Sequence, residues 1–177
     1  MRQLGQFFQR FGERGVSTVE FAIVAPLFLL LLLAIFELGY MVFVQSVLDS
    51  SARSAARMIR TGQVQANGNP QNAFQTALCS DANLVISCSS LIYQVQDFAN
   101  SWSATKTALN TPPKRDKYGN LITAGFTAGT CGDIVAVQVT YDYKFFTQWI
   151  GSQLGDSTQS AFLMSTVVFQ NEPFYPC

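Results

Sequence analysis

Phe21-Ala22-Ile23-Val24-Ala25-Pro26-Leu27-Phe28-Leu29-Leu30-Leu31-Leu32-Leu33-Ala34-Ile35-Phe36 contains no charged or hydrogen-bonding side chain, and after Glu37 the apolar character resumes from Leu38 to Val44. A helix rises about 1.5 Å per residue, so about 20 residues cross the roughly 30 Å hydrocarbon core of a bilayer. Buried helices of soluble domains rarely carry so long an unbroken Leu-rich run. The stretch therefore predicts a transmembrane helix. With 177 residues in all, the remainder has room for one modest folded domain and hardly for two.

Direction is harder to read. Arg2, Arg10 and Arg14 precede the span, while Arg53, Arg57 and Arg60 follow it, so the positive-inside bias leaves orientation open. The cysteines decide it. Cys79, Cys88, Cys131 and Cys177 all lie beyond the span and are even in number, as suits an oxidising compartment. The N-terminus is placed in the cytoplasm. A cleaved secretory signal would have a shorter apolar core followed at once by a small-X-small site. Here Gln45-Ser46-Val47-Leu48 continues the helix, which favours a retained anchor.

Just before the span stands Arg14-Gly15-Val16-Ser17-Thr18-Val19-Glu20-Phe21. A glycine sits at the membrane edge with a carboxylate five residues on. Glycine lets a protease hold the backbone extended with no side chain in the way. Taken one by one, Gly15 is a flexible joint and Glu20 an interfacial carboxylate. Taken together, the spacing, Phe21 and the abutting apolar run resemble the type IV prepilin processing signal, in the Gly-X-X-X-X-Glu-Phe form of tight-adherence (Tad) pilins and pseudopilins. The resemblance implies that a prepilin peptidase cuts after Gly15 and leaves Val16 as the new N-terminus. It also implies that Glu20, costly at the hydrocarbon edge when unpaired, meets the α-ammonium of Val16 in a neighbouring subunit.

Within the span, Pro26 removes the hydrogen bond to the carbonyl of Ala22, and a bend or local loosening is expected there. Glu37 lies about 25 Å along the helix from Glu20, towards the outer interface. Two readings stand side by side: it reaches water, or it makes an intramembrane contact with another transmembrane component. Beyond the span, Val44, Val47, Leu48, Ala52, Ala55 and Ile59 recur at helical spacing, with Arg53, Arg57 and Arg60 on another face and Asp49 able to pair with Arg53.

Glu20-Phe21-Ala22, the proline-bearing span, Glu37-Leu38-Gly39 and the Ala/Arg-rich helix together resemble the TadE family over about the first third of the chain. Asn171-Glu172-Pro173-Phe174 is similar to a short stretch found in TadE-like proteins with long outer domains. Chain length favours a TadE-like protein over the very small major pilin.

The outer part reads as mixed. Gly62 is a helix stop, and Asn67-Gly68-Asn69-Pro70 is a turn into a short helix through Leu78. Leu91, Tyr93 and Val95 alternate with Ile92, Gln94 and Gln96. Val135, Val137, Val139, Tyr141, Tyr143 and Phe145 alternate with Ala136, Gln138, Thr140, Asp142 and Lys144, and a third strand runs from about Ser160 to Gln170. Residues 100 to 130 read as a polar loop with turn signals, Pro112-Pro113 and Tyr118-Gly119-Asn120 among them. An ordinary solvated insertion is favoured there over a contact loop, since the basic cluster is short and broken by Asp116. Four cysteines allow three pairings. Spacing favours Cys79 with Cys88, leaving Cys131 for Cys177, which antiparallel pairing of the last two strands would bring together.

Chemistry is sparsely supplied. The chain has no histidine, which removes the commonest general base and metal ligand, and no Cys-X-X-Cys. Asp133 and Asp142 look like solvent-side residues on opposite pleat faces of one strand. No catalytic, cofactor-binding or metal-binding residue is assigned, and no cofactor is expected. With 12% charged residues and zero formal net charge, nucleic acid is not an expected partner.

The expected fold is α+β and pilin-like: a long N-terminal transmembrane helix continuing into a helix packed on a small antiparallel sheet. Residues 1–15 form a cytoplasmic leader, 16–61 the transmembrane and juxtamembrane helix, and 62–177 a periplasmic domain. The resemblance implies a minor pseudopilin or assembly component of a Tad (Flp) pilus, anchored by a single pass in a bacterial inner membrane and serving adhesion and surface attachment. Implied partners are the prepilin peptidase, other pilins and pseudopilins, the inner-membrane assembly platform and the lipid bilayer. The competing expectation is a signal-anchored periplasmic binding or scaffolding domain unrelated to pili.

Overall fold

The computed structural model describes residues 4–99, 101–109, 125–156 and 158–175. One helix, α1 (Leu4–Arg60), runs unbroken for 57 residues, about 85 Å at the usual rise. It passes through Pro26 without a break in helical assignment. Packing of α1 changes along its length. From Thr18 to Phe36 its side chains face outward almost without exception, whereas Val44, Leu48, Ala52, Ala55 and Ile59 are buried. These five recur every three or four residues and so form one stripe. The helix thus has a stretch from Thr18 to Phe36 whose apolar side chains are largely exposed and a later stretch that is part of a core.

That core is completed by α2 (Pro70–Ala82) and a three-stranded antiparallel sheet of β1 (Leu91–Asp97), β2 (Ile134–Lys144) and β3 (Ser160–Gln170), in the order β1-β2-β3. The register pairs Tyr93 with Val139 and Val137 with Val167. Central β2 is rich in Ile, Val, Thr and Tyr, which suit a pleated and enclosed surface. Its odd positions Val135, Val137, Val139 and Tyr143 join the core shared with α1. Its even positions Ile134, Ala136, Gln138 and Thr140 are buried as well, and α3 (Trp102–Leu109) packs against the strand. The short α4 (Gln148–Leu154) links β2 to β3.

Local chemistry sets the joints. Asn69 caps α2 by accepting the Asn72 amide at 3.1 Å, and Pro70 opens the helix where its missing N–H is not needed. Phe74 of α2 is fully buried, its ring 5.2 Å from Tyr93 and 5.5 Å from Phe126. Each sheet edge meets one neighbouring segment. Residues 125–127 run beside β1, Val95 donating to Gly125 and Thr127 donating to Val95, while Gln45 of α1 donates to the Met164 carbonyl on β3. Covered edges resist pairing with stray strands.

Cys79, late in α2, is bonded to Cys88, which opens the 3-10 turn before β1. The nine-residue separation makes this a short loop, and chain entropy predicts that breaking it costs about 2–3 kcal/mol. Urea unfolding of Cys79→Ser beside the parent chain should show that loss with a denaturant slope equal or slightly steeper, as the freed unfolded chain exposes more surface.

Three expectations are corrected. The region 100 to 130 is not a single loop: its start is helix α3 and its end, around Phe126, bridges to β1. Trp102 to Leu109 lacks a proline or glycine and closes a helical turn well, a signal that the turn-rich residues further on outweighed. The segment 110–124, with Pro112-Pro113, the basic cluster and Tyr118-Gly119-Asn120, lies outside the described residues. Next, Asp49 accepts from Gln45 at 3.2 Å rather than pairing with Arg53, and the ion pair formed among the described residues is Arg60 with Glu172, at 3.0 Å. Finally, Asp133 and Asp142 are not plain solvent-side residues. Asp133 precedes β2 and accepts both the amide and the hydroxyl of Thr130, and one oxygen of Asp142 is buried without a hydrogen-bond partner.

Candidate functional site: where the span meets the outer domain

Besides the shared apolar core, polar contacts tie the C-terminal domain to α1 at each end of that core. At the lower end, Glu37 sits within the apolar run and is only 4% exposed. Its carboxylate accepts the backbone amide of Phe146 and that of Thr147, the latter at 3.1 and 3.3 Å from its two oxygens. These amides lie between β2 and α4, where no strand or helix partner would otherwise satisfy them. A carboxylate buried at this depth is tolerable because it is hydrogen-bonded to charge-complementary donors. The structure thus gives Glu37 a partner that neither sequence reading supplied, the chain's own outer domain.

Aromatic rings surround this contact. Tyr40 of α1 lies 6.2 Å from Tyr143 and 5.6 Å from Phe146, and Tyr143 meets Phe145 edge-on at 5.4 Å. Beside them is a cleft of about 310 Å³ bordered by Val44, Val85, Ser90 and Asp142. Tyr143 is 2% exposed and its hydroxyl has no partner. Burial first, then the nearby Glu37 carboxylate, pushes its pKa up from 10.0 to about 12. The folded state favours the neutral phenol. Its contribution to stability is therefore complete below about pH 10 and is lost as pH rises towards 12. Tyr143→Phe removes an unsatisfied hydroxyl, so it should be neutral or stabilising by up to about 1 kcal/mol. A pH series of thermal unfolding should also show a flatter decline between pH 10 and 12 for the variant.

At the upper end, Asn171-Glu172-Pro173-Phe174 closes over the last turn of α1. Asn171 is buried, and its side-chain amide donates to the carbonyls of Ala128 and Thr130 at 3.0 and 2.9 Å. The Glu172 amide donates to the Arg60 carbonyl at 2.9 Å, and its carboxylate pairs with the Arg60 guanidinium. Phe174 lies over Gly62, whose φ is +78° and where a Cβ would collide with the ring. Each residue of the motif except the proline thus has a definite structural task. Sequence similarity gave the motif but not its docking site, more than a hundred residues away along the chain.

The residues of the prepilin-like stretch fall elsewhere. Gly15 and Val16 belong to the helical backbone of α1, and the surroundings of their side chains lie outside what the structure describes. Glu20 and Phe21 are exposed. Among the cysteines, Cys131 is disulfide-bonded and its sulfur lies 2.9 Å from the Phe174 carbonyl oxygen, while Cys177 falls outside the described residues.

The helix from Thr18 to Arg60 is long and apolar enough to cross a membrane, and it fits a single-pass anchor. No curated protein and no solved structure matches the chain. The family model described as TadE-like protein matches residues 15–57, from the glycine before the span to the last turns of α1, and this chain therefore carries a TadE-like segment there.

Proposed function

We propose that the chain is a minor pseudopilin or assembly component of a Tad pilus, without catalytic activity, acting through its helix and its outer domain. The observation that supports this most directly is that the TadE-like match begins at Gly15, the residue after which a prepilin peptidase would cut. In this reading, residues 1–15 are a cytoplasmic leader and 62–177 the periplasmic domain. The peptidase, sister pilins and pseudopilins, and the inner-membrane assembly platform are its partners. Glu20, exposed on α1, is available to pair with the new α-ammonium of a neighbouring copy or pilin, while Glu37 is already occupied by its own domain. Gly15 is helical in the intact chain, so the peptidase must unwind a turn to reach the bond, which the glycine makes easier. Cys131 pairs with Cys177, fastening the tail that carries the Arg60 and Gly62 contacts.

Intact-mass analysis and N-terminal sequencing of membrane-extracted protein, from cells with and without the peptidase, test the reading. A peptidase-dependent start at Val16, abolished in Gly15→Ala, is the expected result. Retention of Met1 to Gly15 in both cells would reduce the chain to a signal-anchored domain.

A further inference from the structure

The segment that Glu37 holds against α1 is apolar on its outer side. Phe146 is 74% exposed and Trp149 62%, and Leu154 is exposed too. On α1, Phe43 is exposed with its ring 6.4 Å from Tyr40, and Phe36 is exposed one residue before Glu37. The apolar surface of the outer domain is here continuous with the apolar surface of the span, joined through the Tyr40 and Phe146 rings. Height decides what covers it. A helix entering hydrocarbon near Phe21 leaves it about 20 residues later, at the level of Glu37 and Tyr40. Phe146 and α4 are tied to that level by the Glu37 hydrogen bonds.

The composition of the segment suits such a position. From Phe145 to Gly155 there is no charged residue, so lowering it into headgroups desolvates no ion. The first charge beyond it, Asp156, is held by Thr158 and Ser160 within its own turn. Tryptophan has an apolar body with one N–H to leave in the wet layer, which is why it gathers at membrane boundaries.

We propose that Phe146 and α4, with Trp149 and Leu154, form a foot that sinks into the headgroup boundary of the leaflet on the outer-domain side, so that the domain rests on lipid as well as on its helix. The partner is the lipid surface itself. The foot rests on α1 being a membrane span, and it adds a second attachment that fixes the tilt of the domain. Glu37 then acts as the strut that sets the height of the foot.

The chain has two tryptophans, Trp102 in α3 and Trp149 in α4, which makes the test direct. Full-length single-tryptophan variants Trp102→Phe and Trp149→Phe are reconstituted in phosphatidylcholine vesicles whose acyl chains carry bromine either near the headgroup or near the chain end. Trp149 should be quenched by the shallow bromines about twofold or more beyond Trp102, as for a residue of an aromatic belt. Equal or absent quenching of Trp149 overturns the foot. A third protein, with both tryptophans replaced by Phe and Leu31→Trp added, reports on the span. Quenching of Leu31→Trp by deep bromines with a silent Trp149 rejects the foot alone, and a silent Leu31→Trp rejects the span and the foot with it.

Discussion

Glu37→Ala should loosen the lower end of the domain from α1 and cost about 1–3 kcal/mol, since it removes the shared acceptor of two part-buried amides. The amides of Phe146 and Thr147 both point at this carboxylate, and its 4% exposure leaves water little access to replace it. Glu37→Gln keeps one acceptor oxygen and gives up the charge, so it should fall between the parent and the alanine variant. Thermal unfolding of the full chain in detergent micelles measures the loss. Limited proteolysis should show earlier cutting between β2 and β3 in the alanine variant, because that connection contains the freed amides. An alanine variant within about 0.5 kcal/mol of the parent, the scatter of ordinary surface changes, would mean that the carboxylate does not hold the domain.

Why the sequence did not disclose this contact is instructive. Its acceptor and donors are separated by 109 and 110 residues, and the donors are backbone groups, which leave no mark on residue type. Periodicity reads what lies within one element. It therefore found the span, the buried stripe of Val44, Leu48, Ala52, Ala55 and Ile59, and the three strands, where side chains alternate as the pleat requires. It missed α4, since Gln148-Trp149-Ile150-Gly151-Ser152-Gln153-Leu154 has a glycine at its centre and no apolar repeat. It placed Asp142 in water because alternation assumes a solvated second face, whereas central β2 is enclosed on both faces over most of its length. The stretch from Gly15 to Phe21, where the TadE-like match begins, could be read for the opposite reason: all of its residues are neighbours in the chain.

At the upper end of the same core, Gly62→Ala should destabilise the chain by about 2–5 kcal/mol. Two independent effects add. The residue holds φ at +78°, a conformation that costs a side chain roughly 1–2 kcal/mol. Its new Cβ would also meet the Phe174 ring, and overpacking of this kind costs about 1–3 kcal/mol. The two can be separated. In Gly62→Ala with Phe174→Ala the collision is gone while the backbone strain stays, so the double variant should be more stable than the sum of the single losses predicts. A coupling of about 1–3 kcal/mol is expected from residues in direct contact. Urea unfolding of the four full-length proteins in micelles gives the cycle, and additive losses would show that Phe174 does not lie over Gly62. The position matters beyond stability. Gly62 ends α1 where Arg60 is already engaged by Glu172, so the tail and the helix are stapled at the far end from Glu37. With one end tied by a carboxylate and the other by a ring over a glycine, the domain cannot swing on its helix without breaking one of them, so a movement of α1 would be passed to the sheet as a rigid displacement.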